Sequence, residues 1–188
     1  MQYAYWTWKN CFSREECDHI LDLCKGEKKE RGTVANKAYD SSNIRNSTIS
    51  WIRHNEIVKN LYQVGSEVNV EAFGFDLYSD PYINGVQFTE YSGEEKQHYS
   101  FHLDTIFNEE KYNFKERKLS LILQLSDPSE YEGGDLFLKI AEKNINLNNL
   151  KQKGTLIAFP SWILHKITPV TKGTRHSLVT WLNGPAWR

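Results

Sequence analysis

A chain of 188 residues with 39% hydrophobic and 25% charged side chains can bury about two thirds of its unfolded surface in one core, so a single domain over 1–188 is expected. Its 23 basic and 24 acidic side chains give a net charge of −1, which excludes a nucleic acid or an anionic membrane chosen by bulk charge. No stretch approaches the apolar run that a membrane span needs, and the opening MQYAYWTWKN has no basic segment leading into an apolar one, so a soluble, cytoplasmic protein is expected.

In chain order, Ser13 and Glu16 form a capping box, and Cys17, Ile20, Leu21 and Cys24 then recur at helical spacing until Gly26. This predicts a helix over about 13–25. Cys11, Cys17 and Cys24 are the only cysteines, and an odd count on and beside one helix suits reduced, mostly buried thiols. The polar stretch from Lys28 to Asn46 has no sustained period and reads as a long loop. From His54 onward, Ile57, Leu61, Val64, Val68 and Ala72 describe a second amphipathic helix ending at Gly74. Residues 1–74 are therefore expected to be helical support and loop.

After Gly74 the pattern changes to short alternating or apolar segments, at 84–91, 97–103, 118–126, 135–140, 154–159, 163–168 and 175–182. Ser92-Gly93, Asp127-Pro128, Gly133-Gly134 and Lys172-Gly173 separate them as turns. The expected class is mainly β with N-terminal helices (α+β), the strands over about 75–184 forming a sandwich, jelly roll or barrel. An aromatic content of 13% suits wide sheets and an aromatic-lined cleft.

The stretch HYSFHLD, residues 98–104, concentrates potential metal ligands. If 97–104 is a strand, His102 and Asp104 leave the same face and can reach one ion. His19 and His54 fall on the predicted helices. An offset of four puts His98 on the face of His102 but about 13 Å away, so it reads as cleft-lining or exposed, not as a ligand. His165 lies in FPSWILHKITPVTKGTRHSLVTW, on a strand whose antiparallel partner would carry Arg175 and Ser177 on one face and His176 on the other. Two histidines and one carboxylate suit Fe(II) with open coordination positions, and an arginine fork suits a carboxylate.

In this order, HLD, then His165, then Arg175 and Ser177, the chain resembles the 2-oxoglutarate- and Fe(II)-dependent oxygenases, and within them the prolyl 4-hydroxylase-like branch. FSREECDHIL, EYSG, LQLSDPSEYEGGDLFL and GTLIAFPSWILHKITPV extend the resemblance over roughly 11–184. It implies a double-stranded β-helix (jelly roll) backed by two helices, with His102, Asp104 and His165 as catalytic iron ligands. Arg175 would hold the far carboxylate of 2-oxoglutarate and Ser177 would assist it. Tyr91 is similar to a tyrosine that hydrogen-bonds the cosubstrate, though it stands eleven positions before His102, about two more than usual. Gln124 replaces a middle-strand aromatic of several relatives and would either bond the cosubstrate or pack, and Trp181 would wall the pocket.

The implied reaction uses Fe(II), 2-oxoglutarate and O2, with ascorbate a candidate auxiliary reductant, and releases succinate and CO2 as an unactivated C–H bond is hydroxylated. A peptidyl proline is the first substrate expected, on a peptide or protein partner gripped by rim loops at 28–47 and 105–117. A free amino acid or other small molecule is the runner-up. A cupin-like metal protein without redox chemistry is the alternative from another class.

Overall fold

The computed structural model describes residues 3–33, 43–83, 85–105 and 116–186. The first helix, α1 (Arg14–Lys25), starts as its capping box requires: the Ser13 Oγ accepts from the Glu16 N–H at 3.1 Å, and the Ser13 N–H donates to Glu16 Oε2 at 2.7 Å. Its inward face is Cys17, Ile20 and Cys24, and burial pushes both thiols up, Cys17 to about 11 and Cys24 to about 12. The second helix, α2 (Asn55–Val68), runs into a π-helical turn at Asn69–Phe73 closed by Gly74 in the left-handed region. That wider turn keeps Ala72 on the buried face of Ile57, Leu61 and Val68. The Asn69 amide secures the exit, donating to Phe75 O and accepting from the Phe75 N–H, both at 2.9 Å.

Two antiparallel sheets carry the remaining described structure. The major sheet takes β1 (Trp6–Trp8), β2 (Glu30–Arg31), β4 (Thr48–Ile52), β5 (Val86–Ser92), β7 (Glu116–Gln124), β8 (Tyr131–Gly133), β11 (Leu156–Pro160) and β13 (Val170–Gly184). Its order is β1–β11–β7–β13–β5–β4–β2, with β8 on the leading end of β13. The minor sheet runs β10–β9–β12–β6–β3, made of β3 (Arg45–Asn46), β6 (His98–His102), β9 (Leu136–Ile140), β10 (Lys143–Asn146) and β12 (Leu164–Ile167). Alternation on the major sheet divides its side chains. Phe88, Leu119, Leu121, Leu123, Leu178 and Leu182 pack toward α1 and α2, while Tyr91, Ile122 and Ile157 face Leu138 and Ile167 of the minor sheet. Gly65 lets α2 approach closely, because a Cβ there would collide with Leu121 and Leu182. This is the jelly roll expected, with two helices on one sheet.

Three expectations need correction. The loop expected over 28–46 contains β2 and β3, and β4 also precedes α2, so both sheets recruit strands from the region read as helical support; residues 34–42 lie outside those described. Pairs of two residues show no period, and only their distant partners define them. Lys172-Gly173 does not end a strand, because β13 continues through it. Only glycine fits there, because Gly173 has φ 67° and a Cβ would also collide with Glu130 O. The turn lies instead between β12 and β13, around Thr168 and Pro169, where the chain changes sheets. His165 and Arg175 are therefore not on paired strands.

Candidate functional site

The two sheets enclose a cavity of about 570 Å³ whose lining includes His102, Asp104 and His165 from the minor-sheet side and Tyr91, Arg175 and Ser177 from the major sheet. His102 and His165 are direct cross-strand partners on β6 and β12, with ring centroids 4.0 Å apart. β6 stops at His102, so Asp104 is not a strand residue. Its backbone N–H and that of Thr105 donate to Ser161 O at 3.0 and 3.1 Å, which turns its carboxylate back toward the imidazoles. The Asp104 carboxylate oxygens stand 3.7 Å from His102 Nε2 and 3.4 Å from His165 Nε2. One ligand atom from each of the three lies within 4.8 Å of the others, the only such group among the described residues.

Each ligand has a second partner that orients it. His102 Nδ1 lies 2.8 Å from Ser100 O and His165 Nδ1 2.9 Å from Ile163 O, so both Nδ1–H groups donate to backbone and both Nε2 lone pairs point into the site. The Ser120 hydroxyl donates to Asp104 Oδ2 at 2.7 Å and lies 2.9 Å from Ser161 Oγ. Burial, then the neighbouring His165, holds His102 well below the usual histidine range. Burial opposes ionisation of Asp104, but the adjacent His165, His102 and Arg117 and the Ser120 hydroxyl outweigh it and hold the carboxyl low. Two imidazoles presenting Nε2 and one carboxylate form a donor set suited to a divalent cation.

His98 is not part of this cluster. Between Tyr99 and His102 the β6–β12 register slips, three residues on β6 spanning two on β12, so Tyr99 stacks on His102 with centroids 3.4 Å apart. That bulge breaks the expected shared face of His98 and His102. The His98 ring sits near Lys96 O and Asn43 O instead.

Arg175 is 1% exposed yet has no carboxylate partner among the described residues. Its Nη2 donates to Gln124 Oε1 at 2.9 Å and its Nη1 to Ser177 Oγ at 3.3 Å, Nε has no hydrogen-bond partner among the described residues, and the guanidinium carbon is 5.7 Å from the Tyr91 ring centroid. Gln124 thus grips Arg175 from beside the cavity and is not among its lining residues. His176 points to the helix side, stacked on Phe88, with Nδ1 3.1 Å from Ser126 Oγ. Trp181 walls the cavity, tilted against Trp51 with centroids 6.5 Å apart.

Sequence reasoning missed Ser120, Ser161, Tyr99, Arg117 and Arg45. For Ser120 a signal existed, a lone hydroxyl inside KLSLILQL where one strand face is leucine. Arg45 lay in the stretch read as loop, and nothing local marked it.

A family profile described as the 2OG-Fe(II) oxygenase superfamily matches residues 86–183. A PKHD-type hydroxylase of Nitrosomonas europaea is 36% identical over 92 residues, 47% of this chain and 38% of that protein. A PKHD-type hydroxylase of Prochlorococcus marinus is 29% identical over 93% of this chain and 72% of its own length. The chain thus spans well under two thirds of the first relative. In fold it is similar to the viral collagen prolyl hydroxylase of Paramecium Bursaria Chlorella virus-1 in complex with 2OG, at TM-score 0.71 and 22% identity, covering 97% of each chain. It is also similar to a Trichoplax adhaerens prolyl hydroxylase bound to a peptide fragment of hypoxia inducible factor, at TM-score 0.73 and 17% identity, covering 95% of this chain and 83% of that one. Because the matched span begins with β5 and ends within β13, it takes in every member of the triad, and the chain belongs to the 2OG-Fe(II) oxygenase superfamily.

Proposed function

We propose that this chain, read as one oxygenase domain, is an Fe(II)- and 2-oxoglutarate-dependent hydroxylase of a peptidyl proline. The observation that carries the cosubstrate assignment is the buried Arg175, a cation facing the same cavity as the triad with no carboxylate to neutralise it among the described residues. A buried unpaired guanidinium is costly, and the far carboxylate of 2-oxoglutarate offsets that cost. When bound, Fe(II), 2-oxoglutarate and O2 supply the oxidising power: the cosubstrate leaves as succinate and CO2, and one oxygen atom enters an unactivated C–H bond.

The chain's own residues bind, orient and shield. His102, Asp104 and His165 hold the metal from one side, their Nδ1–H bonds and the Ser120 hydroxyl fixing the donor atoms. Gln124 and Ser177 hold the Arg175 fork in place for a carboxylate, and Tyr91 stands beside it for a hydrogen bond to the cosubstrate. Ile122, Ile167 and Val179 line the cavity with apolar surface that keeps water from the reacting groups. The relatives named as PKHD-type hydroxylases support hydroxylation, and the fold shared with prolyl hydroxylases supports a proline substrate.

Anaerobic titration with Fe(II) and 2-oxoglutarate tests the reading. A metal-to-ligand charge-transfer band is expected in the wild type and absent in His102→Ala. Arg175→Ala should weaken 2-oxoglutarate binding about 100-fold with iron affinity little changed. Absence of the band in the wild type would favour a non-redox metal protein, and release of succinate with proline-containing peptides separates a peptide hydroxylase from a small-molecule one.

A further inference from the structure

A second buried arginine faces the cavity. Arg45 is 7% exposed and lies on β3, opposite Tyr99 in the β3–β6 register. Its Nε donates to Ser47 Oγ at 2.9 Å, Nη1 to Thr33 O at 3.2 Å and Nη2 to Gln87 Oε1 at 2.8 Å, and the guanidinium carbon is 4.6 Å from the Tyr99 ring centroid. Every one of these partners is neutral. Three of the five N–H groups are used among the described residues, which leaves one on each terminal nitrogen for a further acceptor.

Arg175 is held by Ser177 and Gln124, level with Thr89 in the β5–β13 register, while Arg45 is bonded to Gln87, two positions earlier on β5, so the two guanidinium groups are fixed at different positions along the strand. A cosubstrate bound at iron and Arg175 has no carboxylate left for Arg45.

We propose that Arg45 recognises a carboxylate on the primary substrate, so that the molecule hydroxylated is acidic close to the reacting carbon. The proposal rests on the oxygenase reading above and narrows its substrate. The carboxylate has two sources, a free acid or an acidic residue near the proline of a peptide, and both present the same planar pair of oxygens to the fork. Trp51, Ile44 and Leu103, each partly exposed where they line the cavity, give the rest of that substrate apolar contact.

The test uses matched acid and amide probes on the anaerobic Fe(II)·2-oxoglutarate protein, following the shift of the charge-transfer band as each probe is added. One pair is N-acetylproline and N-acetylprolinamide; the other is a proline heptapeptide with glutamate or glutamine flanking the proline. The acid of at least one pair is expected to bind about tenfold or more tightly than its amide. Arg45→Gln should remove that preference, and Arg45→Lys, which keeps the charge but not the fork, should retain part of it. Which pair responds separates the free acid from the peptide. No acid outbinding its amide, or a preference that survives Arg45→Gln, overturns the proposal. A wild type with no band at all would instead sink the oxygenase reading, so the two failures are distinct.

Discussion

The two faces of the major sheet are built from the same strands and differ in every other respect. On β7, Leu119, Leu121 and Leu123 face the helices while Ser120, Ile122 and Gln124 face the opposite way, toward the minor sheet and the site. On β13, Leu178 and Leu182 join the helix-side core while Arg175, Ser177, Val179 and Trp181 line the cavity. The helix side is closed and apolar, so its free energy lies in buried area. On the cavity side, buried polar groups hold one another until a ligand completes them. Stability and chemistry are thus separated by a single residue step along a strand.

Substitutions that alternate along β7 and β12 should separate the two properties. The largest effect is expected from His165→Ala: Fe(II) affinity should fall about 100-fold or more, measured by metal titration. The thermal midpoint of the metal-free protein should stay within about 4 °C of the wild type. Leu121→Ala, one face away, should do the reverse, costing about 3 kcal/mol in denaturant unfolding while folded protein keeps its affinity for 2-oxoglutarate. A change in cosubstrate affinity with Leu121→Ala would break the separation. Ser120→Ala, beside Leu121 but bonded to Asp104, should weaken iron about 10-fold, read in the same metal titration.

The smallest effect belongs to Asp127, which lies off both faces. It caps the short turn before β8 and pairs with Arg14, and bonds from the Ser129 N–H and hydroxyl, then Arg14, hold its carboxyl at about 2. Asp127→Ala should cost about 1 kcal/mol at neutral pH. A depressed carboxyl pKa stabilises above the unfolded value and loses that contribution as protons bind. The gap between wild type and variant should therefore shrink as pH falls from 3.8 toward 2, checked by unfolding at each pH.

Features carried by local pattern were legible in the sequence. The Ser13 and Glu16 capping box and the spacing from Ile57 to Ala72 each specify an element without reference to distant chain. The HLD, His165 and Arg175 order carried the site, because spacing between ligands survives even where their strands are assigned to the wrong partners. What stayed hidden depends on pairing across long separations. Arg45 reaches the site only because β3 adds to the edge of β6, and a two-residue strand has no periodicity to reveal it. The bulge that turns Tyr99 onto His102 is likewise a property of two strands together, invisible in either alone.

The position of β13 also bears on how the molecule is made. It is the last strand described, yet it lies between β7 and β5 at the centre of the major sheet and carries Arg175. β1 similarly waits for β11, its partner from the far end of the sequence. During synthesis the helices and earlier strands emerge first, but the central gap between β7 and β5 stays open until β13 inserts. Such long-range pairing slows folding and leaves strand edges exposed meanwhile. The triad therefore acquires its facing wall, and with it a closed cavity, only once β13 has paired with both β7 and β5.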